Sequence, residues 1–500
     1  MQLHRHVASV GLVAWLTSTA AYALSADQLW QDWQANAAAL GATLTSDPAT
    51  PLAGALTLRN ITVSAEGRTV LQLDQITLTE RPEGTVEVTL PPTFPIRPAM
   101  IEDTTTDISV SQTGLIITVH EPAPNARLYE YMADSLNVTA RVVAMIDPFD
   151  GGSKQPDTTD FSLASTGLSG SYSDTPGTNR SFAATFGAKT LAYELNMEGP
   201  FETRSTQSSS AQDTVITGNF VLPATFDLTT LENPAQMADA LRDGLAATLE
   251  YSQGQGQSDQ ADTSEFLDMT VKTSAEGSTF RGRFDRSGIF VVATSLPISA
   301  SITASELPFP QLDLTMGATA VEIQLPVLGP EVQDFRYMTK IENLAVNDEA
   351  WAALDPTGAL QRTPIEVDFD VRGRTALDLF GMIQADQDGT IPPIPQIENA
   401  DIVRLLISAA GAEVTGTGAF TFDNSLGYPT PRGTADFVVK GANKMIDALI
   451  TLGVITADDA MGARMAMALF LDPTDEPDVM TSKIEVREDN GFYVNGQQMR

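Results

Sequence analysis

Few residues of this chain have the types and spacing that catalysis requires. Outside the first 23 residues the chain has one histidine, His120, and a base of this kind needs a positioned partner. Gly167-Leu168-Ser169-Gly170-Ser171 resembles a nucleophile elbow, but Ser171 occupies the place of the final glycine. Gly254-Gln255-Gly256 has Asp259 in place of the third glycine of a dinucleotide fingerprint. The sequence therefore predicts no catalytic residue and no cofactor-binding residue.

Metal binding would depend on oxygen ligands, because the chain has no cysteine and so little histidine. Asp386-Gln387-Asp388-Gly389 matches part of an EF-hand loop, but the closing carboxylate position falls on Pro395. We interpret it as an exposed turn, as we do Asp147 and Asp150, and predict no metal ligand. A carboxylate-dependent hydrolase stays open as a hypothesis, because glycosidase-type acid pairs are defined by their spacing in the fold.

The first 23 residues have the pattern of a cleaved secretory signal. A polar, positive start at His4 and Arg5 precedes the apolar stretch from Val7 to Ala20, and Ala21-Tyr22-Ala23 is a small-x-small cleavage site. The apolar stretch is shorter than the roughly 20 residues that span a bilayer. We therefore expect a periplasmic protein of residues 24–500 with no transmembrane anchor after cleavage.

Composition excludes several classes of protein. The absence of cysteine rules out a disulfide scaffold in an exported chain, so buried area must provide the stability. Acidic residues number 64 against 29 basic ones, for a formal net charge of −35. Such a charge argues against nucleic acid as a partner and against simple attraction to anionic lipid headgroups.

Most of the chain alternates one apolar residue with one polar residue, which is typical of strands that have one dry face and one wet face. The pattern predicts a mainly β fold with a few packing helices (β-rich α+β). We expect a long, mostly antiparallel, curled sheet that forms an elongated groove or a sandwich. Leu58 to Ile61 and Leu73 to Ile76 are three-residue steps where two are expected, and we interpret them as β-bulges.

Helix signals occur at both ends and in the middle of the chain. Ser25 and Gln28 form a capping box, and Trp30 and Trp33 on that helix are expected to pack onto the sheet rather than bind sugar, as is Trp351. Asn233-Pro234 starts a second helix, whose predicted apolar stripe is Met237, Leu241, Leu245 and Leu249. Further helices are predicted over Asn443–Leu452 and Thr456–Leu471.

Turn and loop signals complete the prediction. Asp489-Asn490-Gly491 predicts a hairpin close to the end of the chain. The polar segments 203–213 and 252–264 are predicted to be flexible loops. A boundary within 230–265 could divide residues 24–500, but strand signals resume on both sides and we expect one elongated body.

Several motifs in the second half resemble one exported Gram-negative family, known as domain of unknown function 2125. They are Ile341-Glu342-Asn343-Leu344, Glu349-Ala350-Trp351, Leu354-Asp355-Pro356, Pro364–Phe369, Gly416–Asn424, Gly441–Leu449 and Val494-Asn495-Gly496-Gln497. The chain is also similar, more loosely, to AsmA-type envelope proteins. That resemblance implies long sheets curled into apolar grooves and a role in lipid movement or outer-membrane homeostasis, and it supplies no catalytic residue.

These observations lead to two main hypotheses. In the first, a non-enzymatic periplasmic envelope protein binds or shields lipid acyl chains in an apolar β-groove. In the second, it is a structural or protein-interaction module of the envelope, with edge strands or Met461, Met465 and Met467 contacting a partner protein. The alternative to an open groove is that the apolar face forms an ordinary core closed by a second sheet.

Overall fold

A computed structural model describes residues 23–39, 41–48, 50–52, 54–65, 68–96, 103–147, 154–224, 226, 233–265 and 267–499. The predicted leader up to residue 22, the turn at 66–67 and the glycines after Asp150 lie outside these residues. The described residues form six helices, namely α1 (Ala26–Ala39), α2 (Pro234–Arg242), α3 (Asp348–Leu354), α4 (Leu379–Asp388), α5 (Ala442–Thr451) and α6 (Ala457–Phe470).

The strands of the described residues are β1 (Ala42–Thr45), β2 (Thr50–Leu52), β3 (Ala55–Ala65), β4 (Arg68–Glu80), β5 (Val86–Thr89), β6 (Thr93–Ile96), β7 (Thr104–Thr113), β8 (Ile116–His120), β9 (Arg127–Ile146), β10 (Gln155–Thr175), β11 (Asn179–Glu198), β12 (Arg204–Pro223), β13 (Ala246–Gln253), β14 (Gly256–Thr263), β15 (Asp268–Ala275), β16 (Ser278–Asp285), β17 (Gly288–Ser295), β18 (Ile298–Ala304), β19 (Leu312–Met316), β20 (Thr319–Leu325), β21 (Gln333–Val346), β22 (Ile365–Ala376), β23 (Gln396–Ala409), β24 (Ala412–Asp423), β25 (Thr430–Lys440), β26 (Asp472–Pro473), β27 (Val479–Val486), β28 (Phe492–Val494) and β29 (Gln497–Gln498).

All these strands belong to one curled antiparallel sheet, as the alternation predicted. From β3 the sheet runs through β4, β5, β8, β9, β10 and β11 to β12. Beyond β12 two rows of shorter strands lie end to end, β13-β16-β17-β20 and β14-β15-β18-β19. Both rows meet β21, and β22 to β25 and β27 to β29 continue the sheet.

The two predicted bulges turn out to be one shared feature of β3 and β4. Leu58 pairs with Ile76 and Ile61 pairs with Leu73, so the two three-residue steps lie opposite each other. Because both strands carry the extra residue, the register continues unchanged across the step; it shifts further along, after Val63. The interpretation as independent bulges is therefore wrong, since a bulge puts the extra residue on one strand only.

The same step recurs in strand after strand along one line, which we call the crease. Register is conserved across it; for example, Ala211 pairs with Gly256 on one side and Val215 with Ser252 on the other. A left-handed residue often marks the step, as at Asp213 with a φ of 47°. The residues that flank the crease on the face of Leu58 are Ala133 and Leu136, Leu168 and Ser165, Ala188 and Leu191, Thr214 and Ala211, Gln253 and Gly256, Ser278 and Ala275, Ser295 and Ile298, Thr319 and Met316, and Ile341 and Leu344.

Two segments predicted to be flexible loops are strands. Residues 204–223 form β12, and residues 252–264 fall mostly in β13 and β14. The prediction was wrong because β12 is paired along both edges, so its backbone groups bond to β11 on one side and to β13 and β14 on the other. That pairing outweighs the low strand propensity of the Ser, Gln and Gly residues. The possible boundary at 230–265 likewise contains strands that pair with both flanking regions.

The second helix is shorter than its predicted stripe. Asn233 caps it as predicted, but α2 ends at Arg242 and Gly244 follows with a φ of 104°. Leu241 is buried at the end of α2, whereas Leu249 lies in the middle of β13. The four-residue spacing of the leucines was coincidental, because pairing of β13 with both β12 and β16 decides the structure there.

The backbone N–H of Gln28 donates to the hydroxyl of Ser25 over 3.1 Å, which is one of the two hydrogen bonds of the predicted capping box. Thr456 and Asp459 form a reciprocal capping box at the start of α6. The predicted hairpin joins β27 to β28. Helices α3 and α4 were not predicted from the pattern; Asp378 caps α4 by accepting from the N–H of Gly381.

Two compact cores lie where helices meet the sheet. Against α1, the fully buried Leu29 packs with Leu58, Leu78 and Val119. Arg127 on β9 connects the sheet to α1, because its guanidinium lies 2.6 Å from the carboxylate of Asp32. The second core surrounds Leu241, Leu245, Val327 and Leu328, beside α2 and α4. Most buried apolar side chains are thus found near helices, which leaves long stretches of sheet with no helix against them.

We expect Gly170→Ala to destabilise the protein by about 1–3 kcal/mol, because a methyl group there would collide with the carbonyl oxygen of Thr185 and the ring of Tyr131. Urea unfolding followed by circular dichroism measures the change. The matched control is Gly462→Ala, where nothing lies within 4 Å, and helix propensity predicts stabilisation of up to about 1 kcal/mol. Equal effects of the two substitutions would contradict the packing of Tyr131 across β10.

Candidate functional site

Two rows of directly paired residues cross the sheet above the crease, and together they form what we call the apolar face. The first row is Tyr131, Gly170, Phe186, Ile216, Tyr251, Phe280, Ala293, Val321, Thr339, Phe369, Leu405, Gly416 and Phe437. The second row is Tyr129, Tyr172, Ala184, Gly218, Leu249, Gly282, Val291, Ile323, Tyr337, Val371, Ile402, Gly418 and Ala435. Thr339 is the one member of the rows with an aliphatic hydroxyl.

The residues between these positions point to the other side of the sheet, the charged face, because side chains alternate along a strand. Ion pairs join neighbouring strands there. Arg281 lies 3.0 Å from Glu250, and Arg336 lies 2.9 Å from Glu322 and 2.8 Å from Asp370. The Arg281–Glu250 pair is exposed, and pairs of this kind contribute little stability, whereas Arg336 and its two carboxylates are half-buried.

Aromatic rings lie along the apolar face rather than stacking outwards. The ring centroids of Tyr129 and Tyr172 are 5.9 Å apart, and those of Tyr337 and Phe369 are 6.1 Å apart. Glycines on neighbouring strands make room for the rings. A methyl group built on Gly373 would lie 2.7 Å from the ring of Phe335, so that ring already covers the glycine backbone. The result is a low, smooth apolar surface.

Helices cover the apolar face only at its margins. Helix α1 covers it at β3, β4, β5 and β8, and α2 and α4 lie at the upper ends of the middle strands. Between these helices the side chains stay partly open to solvent, with exposed fractions of 46% for Leu249, 45% for Tyr337 and 47% for Ile407. Side chains under a second sheet would be buried. The apolar face is therefore uncovered over the middle of the sheet.

The titration of its tyrosines shows how the apolar face is hydrated. Burial raises the pKa of Tyr131 above its usual value, and burial is also the main cause of the raised pKa of Tyr129, Tyr172 and Tyr251. Neighbouring side chains remove part of the water from these phenols, and Tyr129 is also covered by α1, whose Trp33 donates to its hydroxyl. Such a partly desolvated surface suits an apolar ligand better than a charged one.

The residues that first suggested chemistry are not brought together. His120 ends β8, with its Nε2 atom 2.8 Å from Glu130. Gly167–Ser171 lies inside β10, and Gly254 and Gln255 join β13 to β14. Asp386 and Asp388 lie in the last turn of α4, and Gly389 caps that helix in the left-handed conformation. In the described part of the chain, no three His, Asp or Glu side chains lie close enough together to hold a metal ion.

Two tryptophans on α1 pack as predicted. Trp30 and Trp33 pack against the core under α1, and the indole Nε1 of Trp33 donates to the hydroxyl of Tyr129 over 3.0 Å. Trp351 is half-buried on α3. Sequence reasoning missed the part of the apolar face on β13, because it placed Leu249 on a helix.

No protein-family model matches this chain, and no curated protein matches it. None of the described helices is both long enough and apolar enough to cross a membrane. A function for this chain is therefore inferred from the apolar face.

An uncovered face should tolerate polar substitution. We expect Leu249→Asn to change the free energy of unfolding by less than about 0.5 kcal/mol, because its side chain is already hydrated. Leu58→Asn, the matched control in the core under α1, should cost about 3–5 kcal/mol. Denaturant unfolding measures both. A loss at Leu249 as large as that at Leu58 would mean that the face is a closed core.

Proposed function

We propose that this protein is an exported, non-enzymatic envelope protein that binds or shields lipid acyl chains on the apolar face. One observation supports the proposal above the others: a continuous band of aromatic, aliphatic and glycine residues crosses the sheet, and its middle is left open between flanking helices. Monomeric soluble proteins rarely leave a large contiguous apolar surface uncovered without a ligand or partner for it.

The shape of the surface favours chains over compact ligands. Neighbouring strands lie about 4.8 Å apart, so a band that crosses many strands is long and narrow. Glycines lie among the rings of the band, and it offers few polar groups that would orient a small molecule. A flexible hydrocarbon chain gains from such a surface simply by the apolar area that it removes from water.

The proposal includes the cellular location of the protein and its family. The secretory pattern of residues 1–23 supports a periplasmic site, and the motifs between Ile341 and Gln497 support membership of the domain of unknown function 2125 family. One long antiparallel sheet with an open apolar face is the architecture that AsmA-type envelope proteins would lead us to expect.

Binding of an uncharged apolar dye, N-phenyl-1-naphthylamine, tests the proposal directly. We expect the purified protein to enhance its fluorescence saturably, and native mass spectrometry of gently purified protein to show bound lipid. Leu249→Glu should weaken dye binding about 10-fold or more, because it places a charge in the middle of the apolar face.

The control is Thr248→Glu, one residue earlier on the same strand and on the charged face. It adds the same charge to β13 and should leave dye binding unchanged. If the wild-type protein neither retains lipid nor binds the dye, the proposal is wrong.

A second candidate function rests on α6. Met461, Met465 and Leu469 share an exposed side of this helix, and Met465 is 69% exposed. A flexible, apolar surface of this kind suits contact with an envelope protein.

Photocrosslinking in cells separates the two functions. With p-benzoylphenylalanine at position 465, a protein partner should give one dominant crosslinked species, while the same group at exposed position 463, on the opposite side of α6, should give none. Loss of dye binding together with such a crosslink would favour the interaction module over the lipid-binding protein.

A further inference from the structure

The apolar face continues below the crease. There, two neighbouring strands have polar side chains on this face. The side chains of Ser205, Gln207 and Ser209 on β12 and of Ser258, Gln260 and Asp262 on β14 lie beside each other there, and we call these six residues the polar stripe. They are directly paired, since Ser209 faces Ser258 and Gln207 faces Gln260. The stripe is thus two strands wide, or about 10 Å.

The stripe has mostly apolar neighbours. On one side Gln207 pairs with Leu195 and Ser209 pairs with Tyr193, on β11. On the other side Gln260 pairs with Val271, on β15, whereas Ser258 pairs with the polar Thr273. The stripe therefore borders apolar side chains on both strands except at Ser258.

The stripe is partly shielded from solvent. On β14, Ser258 and Gln260 are half-buried, whereas Gln257 and Asp259 beside them on the opposite face are exposed, although all four are polar. On β12 the residues of the stripe are half-buried as well, and so are Thr206 and Ser208 between them on the opposite face. Partly shielded polar groups gain when a ligand supplies the hydrogen bonds that water supplies poorly there.

The stripe is already organised around one carboxylate. The hydroxyl of Ser205 donates to Oδ1 of Asp262 over 2.5 Å, and the amide Nε2 of Gln260 donates to Oδ2 of Asp262 over 2.7 Å. The residues paired with the stripe on both sides include no lysine or arginine. The two cations next to the stripe belong to the opposite face and already have acidic neighbours: Arg204, adjacent to Ser205, is ion-paired with Glu198, and Lys272 pairs with Asp259. An anionic group on the stripe would thus meet a negative charge without compensation.

The stripe and the apolar face follow each other along the same strands. From the top of β12, the residues on this face are Phe220, Gly218 and Ile216, then Thr214 and Ala211 at the crease, and then the three polar residues of the stripe. A ligand lying along β12 and its neighbour would meet an apolar surface first and hydrogen-bonding groups next.

From this division we infer that the ligand is an amphiphile whose acyl chain lies on the apolar face and whose polar group, which carries hydroxyls or an ammonium and no anionic charge, lies on the polar stripe. This inference rests on the proposed function and specifies its ligand class. Serine hydroxyls and glutamine amides both donate and accept, so they match hydroxyl groups, and Asp262 accepts from a hydroxyl or an ammonium group.

Two single-chain probes of equal length test the inference. We expect the wild-type protein to bind monopalmitoylglycerol about 10-fold more tightly than palmitate, with both probes kept below micelle-forming concentrations. The double variant Ser205→Leu/Asp262→Leu removes a directly paired hydroxyl and the carboxylate, so it should lose that preference while it binds N-phenyl-1-naphthylamine as the wild type does. Its matched control is Ser208→Leu/Asp259→Leu, the same two residue types directly paired on the opposite face, which should keep the preference.

The outcomes separate this inference from the proposed function. If the wild type binds the dye but shows no preference for monopalmitoylglycerol, or if the Ser205→Leu/Asp262→Leu variant keeps the preference, the polar stripe does not hold a head group. The proposed function would then stand without it. If the wild type binds neither the dye nor either probe, the proposed function fails and this inference fails with it.

Discussion

The step that neighbouring strands share at the crease is the constraint on which both faces of the sheet depend. Side chains alternate with a period of two, so one extra residue in a strand moves every later side chain to the opposite face. Leu58 and Ile61 stay on one face because β3 takes a three-residue step, and the pairing survives because β4 takes the same step opposite, between Ile76 and Leu73. A strand without the step would put its polar side chains among the apolar ones.

This arrangement explains how a sheet of this size has so few buried side chains. Backbone pairing to a neighbour on each side satisfies the N–H and C=O groups of β12 even where its side chains are Ser and Gln. Apolar burial is concentrated in the core under α1 and in the core beside α2 and α4. The remaining apolar side chains are not needed for a closed core, so they are free to contact a ligand.

The division into faces also accounts for the charge of the protein. Arginines on the charged face are used in cross-strand pairs, such as Arg281 with Glu250 and Arg404 with Asp368. The excess of acidic residues keeps the hydrated side of an open sheet soluble and discourages edge-to-edge association of copies. An open apolar surface needs such protection more than a closed core does.

Alternation, helix caps and the hairpin signal were sufficient to determine the β-rich fold, α1, the start of α2 and α6, because each depends on residues close together in the chain. Tertiary pairing decided the rest. Residues 204–213 became strand, and α2 stopped at Arg242, because partners distant in the chain supplied hydrogen bonds that local propensity does not encode. Whether Leu249 and Tyr337 would be covered was likewise decided only in the folded sheet, since exposure depends on what lies opposite a face and alternation reports only that the face exists.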